Sequence, residues 1–187
     1  MQVRGASRPR FGAPAGTFPL VRLADQPSVE VDVLVAAPPD VVWSLVADVT
    51  RIGEWSPECM GARWLDDARS AVPGARFLGH QRRGDLEWDS VSVVTEAEPG
   101  RSFAWAVGDP AAPSATWRFD LRAEPGGTRL VQRAVMGPGQ SRLSAVIAEH
   151  PDQEERIVAA RLEEHRRNMT VTLDGIRQAA EAAERPG

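Results

Sequence analysis

The chain has 187 residues, enough for one domain with tails and too few for two comfortable ones, and 42% of them are apolar, which suffices for a real core. A formal charge of -4 and a pI near 5.5 exclude the clustered basic surface that phosphate backbones require, so nucleic acid is not an expected partner. The single cysteine, Cys59, excludes an internal disulfide and any multi-cysteine metal site, and no apolar run reaches the roughly 18 residues of a membrane helix, so no integral membrane association is expected. With no apolar leader core at the start of the chain, a cytoplasmic location is expected.

Residues 1–28 place Arg4, Arg8 and Arg10 among many Pro and Gly with no apolar period, which predicts a disordered arm. From Val29 the alternation Val29, Val31, Val33, Val35 predicts a half-buried strand, closed by Pro38-Pro39. A short helix is expected from Asp40 to Val46, since Pro and an acid suit the first helical turn, and a second from Val49 to Trp55, stopped by Ser56-Pro57. Six strands then follow over 60–65, 75–81, 87–96, 102–107, 115–123 and 128–136. Turn signals divide them, among them Pro73-Gly74, Pro99-Gly100 and Pro125-Gly126-Gly127, at the close spacing of hairpins.

After Met136, Gly137-Pro138-Gly139 reads as a flexible break leading into a short helix over Ser141–His150. Its stripe of Leu143, Val146 and Ile147 is weak, and a helix this short must borrow stability, so Gly137–His150 is expected to be the movable gate of any pocket. Pro151 opens a long helix with Asp152, Glu154 and Glu155 in its first turn. Its apolar positions Val158, Leu162, Met169, Leu173, Ile176 and Ala180 form one face, and Glu163 and Arg167 are set for an i,i+4 pair.

The sum is an α+β fold: a seven-stranded curved antiparallel sheet wrapped round a long C-terminal helix over residues 29–182, with a frayed tail from 183 to 187. A twisted sheet of this size curls, and one straight helix cannot fill its whole concave face, so apolar space is expected near one end.

The residues Ala36-Ala37-Pro38-Pro39-Asp40-Val41-Val42-Trp43, the stretch from Asp48 through Trp55-Ser56-Pro57-Glu58, and Pro73-Gly74-Ala75-Arg76-Phe77 resemble the SRPBCC superfamily. So do Trp117 with Phe119, the pair Gly127-Thr128 and the His165/Met169/Leu173 helix face. The resemblance covers about residues 29–182 and points to the START-like, helix-grip branch called polyketide cyclase/dehydrase and lipid-transport-like. It implies a helix-grip fold and a small hydrophobic molecule, lipid-like or aromatic, as the partner. The superfamily shares no catalytic motif, so the resemblance implies no particular reaction.

Trp88, Trp105 and Trp117 lie on three successive expected strands, with Phe103 beside Trp105 and Phe119 beside Trp117 on shared faces. Large aromatics of this kind wall a ligand pocket or simply fill a core. The alternation of Trp88 with Ser90 and Ser92 leaves its face open. His165, between Leu162 and Met169 on the inner helix face, is the candidate acid, base or ligand hydrogen-bonder, or a structural histidine bonded to a strand. Leu162, His165 and Met169 are thus the helix side of the expected ligand site.

His80, Arg82, Glu87 and Asp89 suit either a pocket mouth or, by preference, the surface. Cys59, with Glu58 beside it, reads as an inert thiol whose pKa the acid raises. No HExxH, CxxC, GxSxG or Gly-rich phosphate loop is present, so no metal and no cofactor is expected. Three readings stay open: a carrier of a hydrophobic molecule, a cyclase or dehydratase that works mainly by positioning, and a protein-interaction module. No pattern assigns an oligomeric state.

Overall fold

A computed structural model describes residues 21–185. The chain runs β1 (Ser28–Val35), α1 (Pro39–Val46), a 3-10 helix (Val49–Glu54), β2 (Cys59–Trp64), β3 (Arg76–Arg83) and β4 (Leu86–Glu98). It continues with β5 (Ser102–Val107), β6 (Ala115–Glu124), β7 (Gly127–Met136), α2 (Arg142–Glu149), a 3-10 turn (Pro151–Gln153) and α3 (Glu154–Ala183). The strands form one antiparallel sheet in the order β1-β7-β6-β5-β4-β3-β2. Hairpins join β2 through β7 in sequence, and β1 closes against the last strand, pairing Ser28 with Val135 and Val35 with Thr128. This is the expected helix-grip arrangement, with ends shifted by a residue or two.

Local chemistry explains each element. Pro39 occupies the first turn of α1, where its missing N–H costs nothing, and Asp40 sits at the positive end of the helix. The segment Val49–Glu54 takes the tighter 3-10 form, with Asp48 accepting from the Thr50 N–H at its start. Irregular pairing between Val94 and Glu96 in β4, and between Cys59 and Gly61 in β2, bends the sheet. The 30-residue α3 is about 45 Å long by its rise per residue, enough to cross the curled sheet obliquely.

Val158, Leu162, Met169, Leu173, Ile176 and Ala180 are all buried, as the apolar stripe predicts, and Arg167 meets Glu163 at 3.4 Å. The core divides along α3. Leu173, Ile176 and Ala180 pack with Val35, Val42, Phe103, Phe119 and Leu130 into the main cluster, while Val158, Leu162 and Met169 join Val29, Ala134 and Met136 in a smaller one. Among the described residues no helix is long and apolar enough to cross a membrane.

The expected arm, residues 1–28, lies mostly outside the described residues. Its last part is held: the Leu23 N–H donates to Glu154 Oε1 at 3.0 Å, and Val21 and Leu23 pack on the smaller cluster. At the other end the helix runs to Ala183, and residues 186–187 of the expected tail lie outside the described residues.

Candidate functional site

Between the concave sheet and the N-terminal half of α3 lies a cavity of about 1080 Å³. The fold leaves it open for a compositional reason. The C-terminal half of α3 offers Leu173, Ile176 and Ala180 to the sheet, and that end is filled. The N-terminal half offers Ala160, Arg161, His165 and Asn168, which are small or polar and leave the concave face uncovered there.

The sheet floor carries aromatic and polar groups in rows. Trp105 and Trp117 face each other across β5 and β6 in direct register, with ring centroids 6.2 Å apart and planes within 12°. Phe77 meets Trp105 edge-on at 6.0 Å. On β4, Trp88, Ser90 and Ser92 all face the cavity, which settles the face of Trp88: it stands toward the mouth, with the Arg142 guanidinium of α2 5.6 Å from its ring centroid. On β7, Gln132 occupies an inward position between Leu130 and Ala134 and is only 4% exposed.

Of the eight residues expected to line a ligand site, Trp88, Trp105, Trp117, His165 and Met169 border this cavity. Phe103, Phe119 and Leu162 do not. Phe103 and Phe119 share the inward face with the tryptophans, but they lie toward the filled end of the sheet in the main cluster. Leu162 is turned into the smaller cluster with Val158 and Met169. Sharing a face decides whether a side chain points inward, and position along the strand decides whether it meets space or packing. Gln81, Gln132 and Asn168 also line the cavity and were not singled out from sequence, although the inward alternation Leu130, Gln132, Ala134, Met136 already marks Gln132 as a polar residue in an apolar row.

His165 is partly buried at the cavity wall, and its ring meets Trp117 edge-to-face at 5.1 Å. Burial pushes its pKa down to about 3, and the positive charges of Arg161 and Arg83 add to that while Glu164 opposes it. The ring is therefore neutral at ordinary pH and presents one donor and one acceptor nitrogen.

Beside it runs a chain of ion pairs. Arg161 clamps Glu58 through two nitrogens at 2.5 and 3.0 Å and also meets Glu164 at 2.8 Å. Arg83 reaches Glu164 from β3 at 2.8 Å, and the Asn168 amide donates to Glu58 at 3.2 Å. Burial works against the Glu164 charge, but the hydrogen bonds from Arg83 and Arg161 outweigh it and hold its carboxyl below the usual range. The network ties β3 and the residue just ahead of β2 to α3, and its two arginines are matched by its two carboxylates.

Cys59 is buried on β2 and borders the cavity. Its thiol is raised as expected, but the order of causes is corrected: burial is the main one and the Glu58 charge the least, because Glu58 is matched by Arg161. His80, Arg82, Glu87 and Asp89 lie off the cavity. His80 bonds Asp89 at 2.8 Å on the exposed side of the β3–β4 hairpin, the surface position preferred for these residues from the sequence.

At the mouth, α2 has no fully buried residue, and Val146 is 44% exposed while also bordering the cavity. The preceding glycines are not a loose break. The Gly137 and Gly139 N–H groups donate to the Ser114 and Pro113 carbonyls at 3.0 and 3.1 Å. A β-carbon on Gly137 would meet the Pro113 oxygen at 1.9 Å, so glycine serves close approach here.

The comparisons fit this geometry. A polyketide-cyclase-like protein from Corynebacterium glutamicum, solved by NMR, is 29% identical and superposes with a TM-score of 0.61 over 83% of this chain and 92% of its own. The Zhui aromatase/cyclase of a Streptomyces species is 22% identical, with a TM-score of 0.65 over 85% and 96%. An AHSA1-like protein from Aeromonas hydrophila is 18% identical, with a TM-score of 0.54 over 83% and 93%. The last two likenesses are of fold. No curated protein matches. The family described as polyketide cyclase/dehydrase and lipid transport matches residues 26–174. That span takes in every strand, the mouth helix and the α3 residues that border the cavity, and the chain belongs to this family.

Proposed function

We propose that the chain binds one small, largely hydrophobic molecule, lipid-like or aromatic, in the cavity between the sheet and α3. The observation that carries this reading is the cavity itself: about 1080 Å³ bordered by the Trp105–Trp117 pair. Ligand pockets have this character, mostly apolar with a few placed polar groups, and hold drug-sized molecules in roughly 300–1,000 Å³. Tryptophan faces stack well on flat rings. Family membership supports the same reading.

Titration with Nile red tests it, because the dye brightens when it leaves water. Saturable one-site binding, abolished by prior loading with a tighter hydrophobic ligand, is expected. Dye fluorescence that never saturates, together with native mass spectra free of any bound molecule, would sink the reading.

One observation favours a second reading, a cyclase or dehydratase that folds a reactive chain in the cavity. The neutral His165 ring stands at the wall where a bound molecule would lie, with nitrogens able to hold a polar group of that molecule by hydrogen bonds. The Zhui aromatase/cyclase shares the fold. Holding the substrate in a reactive shape would supply most of the rate. His165→Ala with binding retained and turnover lost would support this reading, and retained turnover would remove His165 from it.

A further inference from the structure

We propose that Gln132 is the residue that selects the ligand, by hydrogen-bonding an uncharged hydroxyl carried on the ligand's inner end while its body lies against Trp105 and Trp117. The inference rests on the binding reading above and adds which chemical group the cavity recognises.

The case begins with an unmet group. Gln132 is 4% exposed and borders the cavity, and its Oε1 is the one buried side-chain polar atom among the described residues with no hydrogen-bond partner. Buried polar atoms are nearly always matched, and an unmatched one costs stability, so each exception calls for a reason. Three of the other four buried polar side chains have one, and the fourth, Ser92, borders the same cavity. Thr128, on the same strand, donates to the Ala37 carbonyl at 2.7 Å, Thr172 donates to the Asn168 carbonyl at 2.9 Å, and Ser102 bonds Glu96. Gln132 supports no such structural bond. A leucine in its place would continue the apolar row of Leu130, Ala134 and Met136.

Its position fits a ligand contact. Gln132 pairs with Phe119 on β6, so Trp117, two residues before Phe119 on the same face, is its diagonal neighbour across the strands. Trp117 in turn stacks on Trp105. A flat molecule resting against the two indoles thus brings its edge to the Gln132 amide.

The group it reads is a hydroxyl. Oε1 is an acceptor and calls for a donor. That atom is itself closed off from the open space, so a ligand meets it as the Gln132 side chain turns toward the cavity, where a hydroxyl can both donate to Oε1 and accept from Nε2. A carboxylate or phosphate fits poorly beside Gln132, since the amide has no charge and Arg83 and Arg161 are already matched by Glu58 and Glu164, while the other bordering arginines, Arg142 and Arg156, belong to α2 and the first turns of α3.

The test compares naphthol with its methyl ether, measured by displacement of bound Nile red, on the wild type and on Gln132→Leu. The ether keeps the ring and the ether oxygen but cannot donate. Expected is a fall of about tenfold in the preference for naphthol over the ether on going from wild type to the variant, the size of one matched hydrogen bond. The variant, freed of its unmet amide, should also melt no lower than the wild type. Gln132→Met serves as a second variant should leucine fold poorly. An unchanged preference in a folded variant overturns the proposal, as does failure of both probes to displace dye that binds saturably. Absence of saturable dye binding removes the binding reading together with this one, so the two failures are told apart.

Discussion

Replacing His165 by glutamine should flatten the acid limb of the stability curve. The folded-state pKa of His165 is pushed down to about 3, against an ordinary value near 6.5 in the unfolded chain. The unfolded chain therefore takes up the proton first, and protons favour unfolding. The stability that depends on the neutral ring is complete above pH ~6.5 and is lost progressively as pH falls toward ~3. Between about pH 7.5 and pH 5 the loss comes to roughly 2 kcal/mol, approaching about 1.4 kcal/mol for each further pH unit. Carboxylates titrate in the same region, and His80, whose pKa is raised chiefly by its bond to Asp89, contributes with the opposite sign. Both are present in the variant, so the difference between the two proteins isolates His165. Urea unfolding at several pH values, followed by tryptophan fluorescence, supplies the free energies. If wild type and His165→Gln lose stability in parallel from pH ~7.5 to ~5, the ring titrates as it does in water and burial at the cavity wall does not shift it.

Three further outcomes follow from the same geometry. Arg161→Met strips Glu58 and Glu164 of a nearly buried partner, and should cost about 2–3 kcal/mol, or roughly 8 °C in thermal midpoint, while raising the His165 pKa in an NMR titration because a positive neighbour is gone. Gly137→Ala forces the 1.9 Å approach to the Pro113 oxygen to open, and should lower stability by about 1–3 kcal/mol in denaturant melts, where an unchanged midpoint would contradict the contact. Amides of α2 should exchange faster than those over 156–176 and slow when a hydrophobic ligand is bound; equal protection without ligand would place the gate elsewhere.

The sheet and long helix were legible because their signals are periodic and local. The valines of β1 alternate, the hairpin turns carry Pro-Gly and Gly-Gly pairs, and the α3 stripe recurs at three, four and seven, so each element announces its inward face. The cavity's occupants were only half legible. Trp105 and Phe103 carry the same pattern, and nothing in that pattern says that only Trp105 borders the open space. The Arg161–Glu58 clamp joins residues 103 apart in sequence, a distance no local rule spans. Gly137 and Gly139 show a different gap. Glycine permits both looseness and close approach, and only the facing Pro113 carbonyl distinguishes them.

The two halves of α3 divide stability from function along one helix. Where Leu173, Ile176 and Ala180 meet Phe103, Phe119 and Leu130, the contacts are closed and apolar, and changes there are felt as lost folding energy. Where Arg161, His165 and Asn168 border the cavity, the helix is held by Val158, Leu162 and Met169 in the smaller cluster and by the bonds of Arg161 and Asn168 to Glu58 and of Glu164 to Arg83, which grip from the flank and leave the space over the sheet free. A flank-held helix can change the residues it shows to the cavity without dislodging itself. The same is true of the floor, where Gln132 makes no bond that the fold depends on. Residues over this end can therefore vary while the sheet and the far end of α3 keep the scaffold, which is how one architecture can accommodate many tasks.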